Sequence, residues 1–316
     1  MMTVSEQTGV SEEPKSIFQA NGKTAVVTGA NIGIGYNTAI ALSKNGYKVI
    51  LACRDAAKAS GAVREIMRLV QDADLEFSLL NLASLSSVEK FSERMLASNK
   101  KIDLLVNNAA VMAIPKRIIT DDGFEMQFAT NHLGHFALTA RLMPLLIAAE
   151  NARVVTVSSI AHKYGKVNVD DLQGAKRYEG WSAYGTTKLA NLLFAYELAR
   201  RASAQKLNLI SVAAHPGVSK TNILNSGPRM GMPSLRTYVS DIFAAFWAQS
   251  EADGALPIIH ACLEESVKNG NYFGPDGFME LNGKPTLVQS SNQSKNEELA
   301  RRLWEKSEQL SKLKLL

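Results

Sequence analysis

The chain has 316 residues, 46% of them hydrophobic and 21% charged, with 35 Lys and Arg against 30 Asp and Glu for a net charge of +5. That length and balance suit one large α/β domain with a sizeable core and exclude wholesale disorder. Cys53 and Cys262 are the only cysteines, which excludes a disulfide scaffold and a Cys-rich zinc site and suits a reducing, cytoplasmic setting. The basic residues come at most in pairs, such as Lys100–Lys101 and Arg200–Arg201, so the charge reads as a solvated surface and no nucleic-acid partner is expected. No run reaches the roughly 18 apolar residues of a transmembrane anchor. The polar start, with Glu6, Glu12 and Glu13, does not read as a signal peptide, and residues 1–20 are expected to form a flexible arm.

In chain order, short β-rich runs alternate with longer helical ones, which predicts a parallel sheet with helices on both faces. Lys23–Thr28 is the first expected strand, followed by a helix over Gly33–Asn45 with Ala39, Ile40 and Leu42 inward and Gly46 as its stop. Lys48–Cys53, Leu75–Leu80, Asp103–Asn107, Arg153–Val157 and Asn208–Ala214 are further strands, and a short seventh falls near Tyr272. Helices are expected over Asp55–Val70, Ser86–Ala97, about Asp122–Ala149 and roughly Trp181–Ala202. The tail Glu297–Leu313 is amphipathic, with Leu299, Leu303 and Leu310 on one stripe. Strands apolar throughout are buried on both faces. The expected fold is α/β: a Rossmann-type, doubly wound, mostly parallel seven-stranded sheet with helices on both faces, forming a single domain over residues 21–316.

Directly after the first strand comes Thr28-Gly29-Ala30-Asn31-Ile32-Gly33-Ile34-Gly35, a T-G-x-x-x-G-x-G pattern that opens a helix. Glycines there let the backbone turn sharply and approach a pyrophosphate, which the helix N-terminal N–H groups then face. A tight strand-to-helix turn would use similar residues. The strand before, the helix after and a second strand from Lys48 favour the phosphate loop.

This spacing resembles the glycine motif of the short-chain dehydrogenase/reductase family, and further motifs follow in the order that family has them. Asn107-Asn108-Ala109-Ala110 matches N-N-A-G, with Ala110 in place of the last glycine. Asn131, in Thr130-Asn131-His132-Leu133-Gly134, matches the helix asparagine of the family's proton relay. Ser159 closes the fifth strand in Val157-Ser158-Ser159, Tyr184 and Lys188 form Y-x-x-x-K, and Pro216-Gly217-Val218 with Thr221 form a P-G-x-x-x-T loop. The long gap from Ser159 to Tyr184, Ala52-Cys53-Arg54-Asp55 and Leu189-Ala190-Asn191 resemble the retinol-dehydrogenase-like branch. The resemblance spans roughly residues 22–312 and implies cofactor contacts at Gly29, Asn31, Gly33, Ile34, Gly35, Arg54, Asn81, Leu82, Asn108, Ala109, Tyr184, Lys188, Pro216, Gly217, Val218 and Thr221.

The residue types explain the chemistry. Hydride transfer to a carbonyl leaves an alkoxide that needs a proton. A phenol, with a pKa of about 10, needs help to act as acid and base near neutrality. Lys188, one helical turn from Tyr184, is expected to lower that pKa and to bind the cofactor ribose. Ser159 is expected to hold the substrate oxygen, with Ser158 the alternative. Arg54, at the end of the second strand, would pair with a 2′-phosphate and make the cofactor NADP(H); the alternative is that Asp55 takes a free 2′-hydroxyl. Asn81 stands where the family usually carries Asp beside the adenine and can still accept its hydrogen bond.

His132 and His135 sit three apart on a helix with no carboxylate spaced to complete a metal site, so they read as packing residues. His162 either lines the pocket mouth or packs. Residues 222–250 carry Met230, Met232 and a stripe of Val239, Ile242, Phe243, Phe246 and Trp247. This segment reads as an apolar lid for a lipophilic carbonyl or alcohol, as core or subunit packing, or as a membrane-surface helix. The family's habit implies self-association through the long helices. The expected protein is a cytoplasmic NADP(H)-dependent oxidoreductase. The alternative is a non-catalytic NADP-binding sensor or scaffold on the same fold.

Overall fold

The computed structural model describes residues 20, 22–98, 100–218 and 249–316. Its sheet has strand order β3-β2-β1-β4-β5-β6-β7-β8. The strands are β1 Thr24–Thr28, β2 Lys48–Cys53, β3 Leu75–Leu79, β4 Leu104–Asn107, β5 Ala152–Val157, β6 Leu209–Ala214, β7 Tyr272–Pro275 and β8 Pro285–Leu287. β1 to β7 run parallel, and β8 pairs antiparallel with β7 through Phe273↔Leu287. The eighth strand is an addition to the expected seven. It is three residues long and begins with a proline, a residue confined to sheet edges and strand starts, so its sequence carries no strand signal.

Alternation along the strands feeds two cores. Val27, Leu51, Val106 and Val155 face α1 (Gly33–Lys44), α2 (Ala56–Leu69) and α7 (Glu251–Leu263). Val26, Ile50, Leu105 and Val154 face α3 (Leu85–Ala97), α5 (Gly134–Ile147) and α6 (Gly180–Ala204). The doubly wound arrangement follows, because each strand is apolar on both faces. Asp55 caps α2 by accepting from Lys58 N at 3.0 Å, and Arg153 reaches from β5 to donate to the carbonyls of Ala261, Cys262 and Glu264 at the end of α7.

The helix expected from about Asp122 begins later. Glu125 caps a short α4 (Met126–Phe128), which widens through a π-turn over Ala129–Leu133 before α5. Asp122 instead accepts from Leu85 N at 2.6 Å, outside the helix. The C-terminal helix α8 (Glu297–Ser311) lies across α6 and α5: Trp304 stacks on Phe194 (5.7 Å) and meets Phe136 edge-on (5.2 Å). Residues 1–19 of the expected arm lie outside the described residues, whereas Ala20 is buried and donates to Asn45 O at 2.8 Å. Of the expected lid, residues 222–248 lie outside the described residues. Among the described residues, no helix is long and apolar enough to cross a membrane.

Candidate active site

The strand order reverses at β1 and β4, and open α/β sheets bind ligands in the crevice beyond the carboxyl ends of the strands at such a point. The chain leaves β1 through Gly29 and Gly33, both at positive φ (67° and 66°), and enters α1. Gly35 meets a different need. A Cβ there would come within 2.6 Å of Gly29 O and 2.5 Å of Asn108 Nδ2, so the loop can lie against the end of β4 only without a side chain. Among the described residues no side chain caps α1, and its first turn has no acidic residue, which leaves its N–H groups facing outward for an anion. Asn31 is half-buried in the loop, and Ile34 packs on the core.

Thr28, the first residue of the glycine motif and not among the expected site residues, organises this corner. Its hydroxyl oxygen accepts from Asn108 N (2.9 Å) and Ala109 N (3.0 Å), and Asn108 Nδ2 donates to Thr28 O (2.8 Å). His135 Nδ1 donates to the Asn131 carbonyl at 3.1 Å, so its Nε2 accepts, 2.9 Å from the Thr28 hydroxyl. Burial pushes His135 down to about 3, so it is a neutral strut between the glycine loop and the π-turn. His132, also fully buried and lowered to about 4, meets Ser307 of α8 through Nε2 (2.9 Å).

Gly29 N donates to Ala52 O (2.8 Å), which fixes the loop against the end of β2 and hence near Arg54. Arg54 is exposed and makes no hydrogen bond or ion pair with the described residues, while the Asp55 carboxylate is occupied as the α2 cap. Asn81 Oδ1 accepts from Ala83 N (3.1 Å), and Leu82 is buried beneath Gly134, where a Cβ would strike Leu82 O. Pro216, Gly217 and Val218 follow β6; Thr221 lies outside the described residues.

The structure brings Tyr184, Lys188, Ser159 and Asn131 into one neighbourhood. Tyr184 is packed with Met112, Ala113 and Ala161, and its phenol contacts the Ser159 side chain. Ser159 Oγ accepts from Ala161 N (3.2 Å), which leaves its hydrogen to donate, whereas buried Ser158 donates to Lys188 O (2.9 Å) and is used up in joining β5 to α6. His162 is buried behind Ser159, not at a pocket mouth: Nδ1 donates to Ser159 O (2.7 Å) and Nε2 accepts from Ser291 N (3.2 Å). Asn131 spends its side chain on structure, accepting from Val111 N (2.8 Å) and donating to Val111 O (2.9 Å) and Thr187 Oγ1 (3.0 Å). The π-turn is what points it there, and π-turns recur at functional sites.

Lys188 is 2% exposed; its ammonium donates to Val157 O (3.0 Å), and among the described residues no carboxylate pairs with it. Burial lowers it to about 7 and raises Tyr184 to about 12. The net shift of Tyr184 is thus upward, against the expected lowering: the ammonium lies 5.7 Å from the ring centroid and, with the Ser159 contact, does not outweigh desolvation. Tyr184 is a protonated phenol at neutral pH.

A helix start uncapped by any described side chain, an exposed guanidinium at the end of β2 and a buried ammonium with spare donors fit a nicotinamide dinucleotide along this crevice. The comparisons agree. The short chain dehydrogenase family profile matches residues 23–230. The chain belongs to the short-chain dehydrogenase/reductase family. Mouse retinol dehydrogenase 12 is 40% identical over 288 residues, covering 90% of this chain and 85% of that one. Human retinol dehydrogenase 14 is 37% identical, covering 91% and 86%. A solved structure of an uncharacterised Mycobacterium paratuberculosis protein superposes with a TM-score of 0.77 at 37% identity over 95% of this chain and 97% of that one. The fold is also that of a 3-ketoacyl-(acyl-carrier-protein) reductase from Brucella melitensis complexed with NADH (TM-score 0.61, 21% identity, 80% of this chain and 96% of that one). This short-chain dehydrogenase/reductase is an oxidoreductase acting on CH–OH groups.

Proposed function

We propose that this enzyme is an NADP(H)-dependent carbonyl reductase, or the reverse alcohol dehydrogenase, for lipophilic substrates. The observation that carries the reading is the juxtaposition of a buried, protonated Tyr184 with the Ser159 hydroxyl and the unpaired Lys188 ammonium. When bound, NADPH supplies the hydride. Ser159 donates a hydrogen bond to the substrate oxygen and holds it against Tyr184. Tyr184 Oη gives its proton to that oxygen as negative charge develops there; in the oxidative direction the phenolate takes the proton back. Lys188 stabilises the phenolate, and its remaining N–H groups suit the hydroxyls of the cofactor ribose. Asn131, whose side chain is committed to Val111 and Thr187, supports a proton relay through its main-chain carbonyl, the group already held by His135.

Support for NADP(H) comes from Arg54, exposed beside an occupied Asp55. Support for a lipophilic substrate comes from the Met112–Ala113–Ala161 surround of the phenol and from Trp181, half-exposed and edge-on to Tyr184 at 6.4 Å. The retinol dehydrogenase relatives carry the same theme in their names. A cytoplasmic home is consistent with two buried, free thiols, Cys53 and Cys262. Self-association would need a surface other than the face of α5 and α6 that Trp304 and Leu303 already cover. The test is turnover of purified protein with NADPH or NADH against long-chain and short polar aldehydes. The reading expects NADPH and the long chains to be preferred, and preference for NADH or for short polar substrates overturns the corresponding half of it.

A further inference from the structure

Two loops border the proposed nicotinamide end of the site: the turn after Ser159 and the segment Pro216–Val218 after β6. Neither is fixed by the sheet alone. Both are fastened to a strap that enters from β7 and leaves through β8. Its residues Met279 and Glu280 stand consecutively in the left-handed region (φ 51° and 61°), a conformation that non-glycine residues hold only where the surroundings impose it. This turn aims the Glu280 carboxylate inward. Oε2 accepts from His215 Nε2 at 2.9 Å, and Oε1 pairs with Lys163 Nζ at 2.8 Å.

We infer that Glu280 is a positioning residue, whose carboxylate locks the cofactor loop Pro216–Val218 to the turn that carries Ser159. The inference rests on the cofactor reading proposed above. The His215 side chain is fully buried, and its Nδ1 accepts from Gly217 N (3.2 Å), so Nε2 carries the hydrogen given to Glu280 and the ring transmits the carboxylate's position to the loop. The next strap residue continues the contact, as Val218 N donates to Leu281 O (2.8 Å). The packing leaves no slack. A Cβ on Gly217 would strike Leu281 O, and one on Gly274 would strike His215 Nε2. On its other side the loop is held by Gln249, whose Nε2 donates to Pro216 O (2.6 Å) and whose N–H donates to Val218 O (3.0 Å). Lys163 completes the lock from the short helix Ile160–Tyr164, which begins directly after Ser159. Against the opposing effect of burial, the hydrogen bond from His215 and the ion pair with Lys163 hold Glu280 at about 2, so its carboxylate stays charged throughout the neutral range. A carboxylate is required because two donors on different loops must be held at once, one by each oxygen.

The test compares Glu280→Ala, Glu280→Asp and Glu280→Gln with the wild type by amide hydrogen exchange in the unliganded protein and by fluorescence titration with NADPH. In Glu280→Ala, faster exchange at Gly217 and Val218 is expected, with NADPH affinity falling about tenfold and KM for NADPH following it, while kcat at saturating cofactor changes by no more than about threefold. Glu280→Gln keeps an acceptor for His215 but loses the pair with Lys163, and should recover only part of the affinity. Glu280→Asp is too short to reach both partners, tolerates the left-handed backbone, and should fall between the other two. It decides the matter if the alanine variant does not fold. Wild-type exchange and wild-type NADPH affinity in a folded alanine or aspartate variant overturn the inference. Failure of the wild type to bind either NADPH or NADH overturns the cofactor reading instead, and the exchange data still show whether Glu280 locks the loop.

Discussion

Two buried charges sit on one helix, and the protein treats them in opposite ways. Glu197 of α6 is met by Arg200 (2.6 Å) and Arg201 (2.7 Å), and Arg201 in turn lies over the Trp304 ring at 4.5 Å. Lys188, nine residues earlier, has one carbonyl and no carboxylate among the described residues, and burial alone brings it to about 7. The C-terminal half of α6 is built for stability: paired charges, stacked aromatics and a covering helix. The N-terminal half holds an ammonium whose burial the surrounding protein does not offset. Uncompensated burial of an ionisable group is the usual signature of a site where charge is needed during a reaction. On the proposed mechanism the same helix divides into a supporting half and a working half, and substitutions in the two should move stability and turnover in different directions.

The largest stability effect belongs to the supporting half. Trp304→Ala should cost about 3–5 kcal/mol in urea unfolding, because it removes the ring that closes Phe136 and Phe194. A loss under about 1 kcal/mol would mean that α8 is only loosely seated. Lys188→Met should do the reverse. Turnover should fall at least about a hundredfold, while Tm at neutral pH rises by about 2–6 °C. Val157 O would still have a donor in Asn191 Nδ2 at 3.1 Å. The sign follows from linkage. Lys188 drops from 10.5 to about 7 on folding, so the unfolded chain holds a proton that the folded one releases. The penalty is largest at and below about pH 7 and disappears as pH rises towards 10.5, and the stability gap between variant and wild type should close over that window. A destabilised Lys188→Met at neutral pH would contradict the contrast.

Smaller effects sharpen it. Glu197→Gln should cost about 1–2 kcal/mol of stability, discounted because both arginines are partly solvated, and leave kcat/KM within about twofold. Arg54→Ala should reduce the NADPH-to-NADH preference about tenfold without changing Tm. The gentlest is a pH dependence. His132, His135 and His162 are lowered by burial to about 4, 3 and 4, so only the unfolded chain takes up their protons as pH falls below 6.5. Stability should decline between pH 6.5 and about 4, by at most about 1.4 kcal/mol per pH unit for each histidine. A urea midpoint constant over that range would show that these rings are not buried neutral struts.

Much of this arrangement is legible in the sequence because it is local. The glycine loop, Asn108, Ser159 and the Tyr184–Lys188 pair are short patterns whose spacing sets their geometry, and the apolar strands announce a doubly wound sheet. Other features depend on contacts distant in sequence. The π-turn that carries Asn131, and the bonds of its side chain to Val111 and Thr187, are signalled by no residue type. The sequence prefers Ser159 over Ser158 only by resemblance; the physical reason, a Ser158 hydroxyl spent on Lys188 O, lies in a contact 30 residues away. Glu280 and His215 lie 65 residues apart and meet through a three-residue strand that looks like a loop. The protonation of Tyr184 is the clearest case. The Y-x-x-x-K spacing points to a lowered pKa, whereas burial among Met112, Ala113 and Ala161 raises it to about 12.

The proposed proton donor, Tyr184, is the most direct point of attack. Rapid mixing of enzyme, NADPH and a long-chain aldehyde, followed through the nicotinamide absorbance, should show a single-turnover rate at least about a thousandfold lower in Tyr184→Phe than in the wild type, with NADPH affinity within about threefold. An unchanged rate in a folded Tyr184→Phe protein would contradict the account.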